Sequence, residues 1–86
     1  MIRFEALGEF QQTARTLAPR PKKLLREALN QLRENPEAGK QLLDEFAHLR
    51  SLAIARYRLI YRIESENLIF LVRFAHRETV YEQLEP

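Results

Sequence analysis

The sequence predicts an α+β domain in which an N-terminal strand and a helical hairpin pack on a small antiparallel sheet. Three observations carry this. Between Leu7 and Asn35 apolar residues recur at helical spacing. After His48 the runs 52–55 and 57–63 are rich in aromatic and branched residues and contain neither Gly nor Pro. A polar tetrapeptide, Glu64-Ser65-Glu66-Asn67, then divides the apolar second half into two runs that pair as a hairpin. At 86 residues and 45% hydrophobic composition the chain suits one core and one domain.

The elements follow in order. Ile2-Arg3-Phe4 alternates as a short strand, stable only at a sheet edge. Leu7, Phe10, Ala14 and Leu17 line one face of a first helix that ends near Ala18. Pro19-Arg20-Pro21 breaks the chain, and Pro21 suits the first turn of a second helix because its missing N–H is not needed there. Leu25, Ala28, Leu29 and Leu32 form that helix's buried stripe, and Asn35-Pro36 ends it, since the residue before proline is pushed out of helical geometry. Residues 37–46 fit a further short helix carrying Leu42, Leu43 and Phe46, weakened by Gly39. Residues 52–55, 57–63 and 68–75 read as strands, the last almost continuously apolar and therefore central. Alternation along 57–63 places Arg58, Ile60 and Arg62 on one face, giving it a cationic character, and Tyr57, Leu59, Tyr61 and Ile63 on the other. In the next run Arg73, Ala75 and Arg77 share one parity and Val72, Phe74 and His76 the other, and parity alone does not say which sets align. Residues 79–84 suit either an edge strand or one helical turn.

Charge is unevenly distributed. Residues 1–49 hold eight Lys or Arg against seven acids, 50–77 hold six Arg against two, and 78–86 hold three Glu and no base. Eleven of the 14 cations are Arg, whose planar guanidinium forks onto phosphate or carboxylate, so a phosphate-bearing partner or a merely solvated face both fit. The absence of cysteine excludes a disulfide framework and thiolate metal sites. No run of about 18 apolar residues occurs and the first residues carry no apolar leader, so a cytoplasmic protein without membrane insertion is expected.

Three motifs then stand out: Asn35-Pro36-Glu37-Ala38-Gly39-Lys40-Gln41-Leu42, Tyr57-Arg58-Leu59-Ile60-Tyr61-Arg62-Ile63 and Ala75-His76-Arg77-Glu78-Thr79-Val80-Tyr81. In order and spacing they resemble the RelE/ParE superfamily of bacterial toxins, over nearly the whole chain and with the element layout read above. The resemblance implies a toxin of a type II toxin–antitoxin pair that uses no cofactor and is held by a cognate antitoxin, partly disordered until it wraps the toxin. RelE-like members cut messenger RNA on the ribosome with the substrate 2′-hydroxyl as nucleophile; ParE-like members inhibit DNA gyrase. The first activity is the expectation here, with gyrase inhibition or an inactive antitoxin-binding relative as alternatives. By this resemblance Arg58, Arg77 and Tyr81 match catalytic positions. Basic residues that RelE carries on the preceding strand are matched by Leu49, Ser51 and Ala53, and the Arg77-to-Tyr81 spacing is two residues shorter.

Attack by a 2′-hydroxyl needs proton removal, stabilisation of a more negative phosphorane and protonation of the leaving 5′-oxygen. Arg58 and Arg77 suit the phosphorane. His76 suits proton transfer near neutral pH, although a strand-end histidine also serves simply as a hydrogen-bonding residue. Arg50, Arg56 and Arg62 are candidates for RNA contact, and equally for an acidic antitoxin or a soluble sheet edge. Other chemistries lack support: there are two histidines and no paired carboxylates for a metal, no glycine-rich phosphate loop, and no base beside Ser51 or Ser65. The second helix is basic only at its start, through Lys22, Lys23 and Arg26, which does not suit base-specific readout.

Overall fold

The computed structural model describes residues 1–82 and Leu84. Its elements are β1 (Arg3–Ala6), α1 (Gly8–Thr16), α2 (Pro19–Glu34), β2 (Lys40–Gln41), a 3₁₀ turn (Asp44–Phe46), β3 (Arg50–Ile54), β4 (Tyr57–Ser65) and β5 (Leu68–His76). The strands form one sheet in the order β1-β5-β4-β3-β2. All neighbouring pairs are antiparallel except β1 with β5, so the sheet is mixed. The expected N-terminal strand does lie at an edge. It runs parallel to β5 because α1 and α2, with everything after them, separate the two in sequence.

Both helices cover the same sheet face, α1 over β5 and α2 over β3 and β4. Phe10 from α1 and Leu25, Ala28 and Leu32 from α2 meet Leu52, Ile54, Leu59, Tyr61, Ile69, Leu71 and Phe74 in the main core. Each fully buried Leu or Ile side chain contributes about 1.5–3 kcal/mol of transfer free energy. α2 starts at Pro19 rather than Pro21, with Ala18 as its N-cap. Both prolines fit because no residue of the first helical turn donates an intrahelical bond.

The segment after α2 is not a helix. Between Asn35 and Leu49 the chain makes a turn, the two-residue β2 and the 3₁₀ turn. The reason is Tyr61. Its hydroxyl donates to the Pro36 carbonyl at 2.6 Å and accepts the Gly39 N–H at 2.9 Å. Gly39 lies so close to this ring that a Cβ there would sit 2.7 Å from the Tyr61 Cε1. Arg50 closes the arrangement by donating to the Gly39 carbonyl at 2.8 Å, with Glu37 3.7 Å from its guanidinium. These tertiary bonds outweigh the weak helical pattern of residues 37–46.

The second sheet face is also covered at its centre, which corrects the expectation of a cationic face through Arg58, Ile60 and Arg62. Ile60, Leu49 and Val80 are buried together there, supported by Leu42, Phe46, Val72, Ala75 and Leu84. Val80 belongs to a turn that follows β5, with Val80 N–H bonded to the His76 carbonyl and Glu82 N–H to the Thr79 carbonyl. Of the two forms expected for residues 79–84, the described residues take the helical turn; Gln83 lies outside them. A register shift beside Ile60 and Tyr61 sets which β5 residues face this turn. Ile69 and Leu71 point to the helices, but the extra residue Val72 switches parity, so Phe74 enters the helix-side core and Arg73 lies opposite Ile60 on the other face.

Candidate functional site

The sheet register brings the candidate residues to one end of β3, β4 and β5. Arg58 pairs across β4 with Ala53 of β3 and Ala75 of β5. Directly opposite residues share a face, so the half-buried guanidinium stands on the second sheet face, flanked on both neighbouring strands by a methyl group. One of its nitrogens donates to the Tyr57 carbonyl at 3.1 Å, leaving its other donors for a ligand. The two alanines leave the guanidinium flanked by small side chains on both neighbouring strands.

Tyr81 reaches the same face. Its hydroxyl donates to Ser51 Oγ at 2.9 Å, and Ser51 pairs with Ile60, one alternating position from the Ala53–Arg58 pair. That step along a strand is about 6.7 Å. Tyr81 is 48% exposed, so its ring lies open to solvent while its oxygen is held over the sheet. The turn that carries it is fixed by buried Val80 and by Arg73, whose guanidinium donates to the Val80 carbonyl at 3.0 Å and to the Glu82 carbonyl. Arg77 follows β5 directly and is exposed; its N–H donates to the Arg56 carbonyl at 2.7 Å, joining the end of β5 to the β3–β4 turn. Arg56, Arg58 and Arg77 therefore cluster at one corner, and none has a carboxylate within salt-bridge distance among the described residues.

His76 is separated from this group. It pairs with Tyr57, on the helix-side face, and the two rings meet edge-on with centroids 5.7 Å apart. Its Nδ1 accepts the Glu78 N–H at 3.3 Å. Arg50 is engaged with Gly39 and Glu37, and Arg62 pairs with Glu64 while stacking over Phe70. Leu49 is 2% exposed in the small second core, so that position supports packing, not phosphate binding. Ser51 and Arg73 went unrecognised in the sequence. The signal for Arg73 was present: core residues Ile69, Leu71 and Phe74 break the period of two by one residue. The uniformly apolar run around them hid it.

The family description that fits the chain is the ParE toxin of type II toxin–antitoxin systems, parDE, matched over residues 3–81. The chain belongs to this family. It sits within the wider RelE/ParE toxin superfamily, as its structural likenesses agree. One is to a chain of the toxin–antitoxin complex RelBE2 from Mycobacterium tuberculosis, with a TM-score of 0.75, 28% identity, and coverage of 88% of this chain and 98% of that one. A second is to the intact RelBE complex of E. coli, at TM-score 0.72 and 16% identity over 88% and 96% of the two chains. The isolated E. coli RelE toxin matches at TM-score 0.71 and 20% identity, over 88% and 84%. These last two share the fold. No curated protein sequence matches.

Proposed function

We propose that this toxin is an endoribonuclease that cuts messenger RNA on the ribosome and is neutralised by a cognate antitoxin. The observation that supports this most is that Arg58, flanked by Ala53 and Ala75, has the Tyr81 oxygen one strand step away on the same face. In the reaction the 2′-hydroxyl oxygen attacks phosphorus and the bond from phosphorus to the 5′-oxygen breaks, leaving a 2′,3′-cyclic phosphate and a 5′-hydroxyl. Arg58 and Arg77 neutralise the added charge of the phosphorane, which needs donors aimed at oxygens that become more negative in the transition state. The 2′-hydroxyl proton passes to solvent water, while the Tyr81 hydroxyl gives its proton to the leaving 5′-oxygen and regains one from solvent, directly or through Ser51. His76, facing the helices beside Tyr57, takes no part in this scheme. The antitoxin assignment is supported by the likeness to chains from toxin–antitoxin complexes.

Gyrase inhibition is the second reading, favoured by the ParE description that matches residues 3–81. The two readings separate in purified systems. Translating ribosomes with a defined message should yield cuts within the reading frame with the native chain, reduced about 10²–10³-fold by Arg58→Ala. Intact message together with loss of gyrase supercoiling would overturn the nuclease reading.

A further inference from the structure

We propose that Ser51 is a positioning residue for messenger cleavage, its hydroxyl holding the Tyr81 hydroxyl in place for the leaving 5′-oxygen, an inference that rests on the nuclease reading. Leu49, just before β3, and Ser51 and Ala53 within it alternate onto the second sheet face, where each meets a different neighbour. Leu49 packs with Ile60 and Val80, and Ala53 flanks Arg58. Ser51 lies between them, opposite Ile60 on β4 and Lys40 on β2, and is only 9% exposed. Burying a hydroxyl is unfavourable unless it is hydrogen-bonded, and a strand position beside Leu49 and Ile60 suits an aliphatic side chain better. Among the described residues the Ser51 side chain has one hydrogen-bonding partner, the Tyr81 hydroxyl at 2.9 Å.

Tyr81 needs such an anchor. Buried Val80 and the Arg73 bonds to the Val80 and Glu82 carbonyls fix the backbone on either side of Tyr81. Those contacts act on the main chain, and a half-exposed aromatic side chain still exchanges between rotamers about its own χ1. The bond at the tip of the ring restricts that rotation and keeps the oxygen one strand step from the Ala53–Arg58 pair. Ser51 is itself held by ladder partners on both sides, which makes the anchor rigid. A hydroxyl both donates and accepts, and its hydrogen rotates. When Ser51 donates to Tyr81, the Tyr81 hydrogen is free to pass to the leaving 5′-oxygen. The Tyr81 O–H bond then breaks as the new O–H bond forms, and the charge left on the phenol oxygen is met by the Ser51 O–H. Ser51 keeps its own hydrogen throughout the transfer and acts only through Tyr81.

The test uses the purified full chain with translating ribosomes and a defined message, and measures kcat and KM for cleavage. Ser51→Ala should lower kcat about tenfold, near the upper end of what one hydrogen bond contributes, and leave KM unchanged. Ser51→Thr keeps the hydroxyl on a residue suited to strands and should recover most of the loss. Ser51→Ala added to Tyr81→Phe should lower kcat no further than Tyr81→Phe does alone. Ser65→Ala, which removes an exposed hydroxyl at the other end of β4, should leave both constants unchanged. Resistance of residues 77–82 to proteolysis should match the native chain in Ser51→Ala, because Val80 and Arg73 hold that backbone. Native kcat in Ser51→Ala, or a full further loss in the Tyr81→Phe background, would overturn the role of Ser51 and leave the nuclease reading in place. Faster proteolysis of Ser51→Ala would overturn it as well, assigning the loss to the turn. Absence of cuts with the native chain would overturn the nuclease reading itself, and this role with it.

Discussion

Replacing Tyr61 by Phe removes one oxygen and leaves two backbone groups, the Gly39 N–H and the Pro36 carbonyl, without their partner. Unpaired buried polar groups cost about 1–3 kcal/mol, so denaturant unfolding of Tyr61→Phe should show a loss of that size. The same phenol makes stability depend on alkaline pH. Burial pushes its ionisation above the ordinary 10.0, against the opposing pulls of the Gly39 N–H and the Arg50 charge. The native state therefore holds this proton more tightly than the unfolded chain. The contribution is intact below pH 10.0 and declines as pH rises past it toward the native value, a decline that Tyr61→Phe should abolish in melts run above that pH. Gly39→Ala tests the other side of the contact. Its Cβ would lie 2.7 Å from the Tyr61 ring and hydroxyl, and the resulting overpacking should cost about 1–3 kcal/mol in equilibrium unfolding. Read as sequence, Gly39 looked like a weak helix start and Tyr61 like a motif residue. Their link was illegible because it joins positions 22 residues apart through one hydrogen bond.

At the scale of elements, the strands were legible because aromatic and β-branched runs with polar breaks express their own local preference. The β3–β4 connection was not. Ile54 pairs with Tyr57, so Ala55 and Arg56 form a two-residue turn in which Ala55 takes φ 52°, a conformation that favours glycine. Ala55→Gly should therefore raise stability by about 0.5–1 kcal/mol in thermal or denaturant unfolding, the relief of left-handed strain exceeding the entropic cost of glycine. The turn after β5 depends on Arg73 instead. Arg73→Met deletes the donors to the Val80 and Glu82 carbonyls and should cost about 1–2 kcal/mol while exposing residues 77–82 to faster proteolysis. Because that turn carries Tyr81, cleavage activity should fall with it, and Arg73→Lys should restore part of both. The β5 register shift that creates this arrangement is a one-residue event inside an apolar run, where alternation gives no warning.

For the molecule as a whole, the sheet separates two tasks between its faces. The helix-side face holds the main core and, with it, Tyr57 and His76. The other face holds a small core of Leu49, Ile60 and Val80 and, at one end, the corner of Arg58 and Tyr81. Family resemblance in the sequence supplied Arg58, Arg77 and Tyr81, and proton-transfer chemistry supplied His76; the register sorted them: Arg58 and Tyr81 lie on one face, Arg77 joins through the Arg56 turn, and His76 falls on the far side. Pairing across strands is a non-local property, so no reading along the chain could have separated His76 from Arg58.

The most direct measurement is to induce the chain in bacteria without its antitoxin and map new messenger 5′ ends within translated frames, beside the Arg58→Ala, Arg77→Ala double variant and Tyr81→Phe. The account predicts discrete in-frame cuts with the native chain, none with the double variant and markedly fewer with Tyr81→Phe. Growth arrest with intact messengers, or cuts that persist in the double variant, would contradict it.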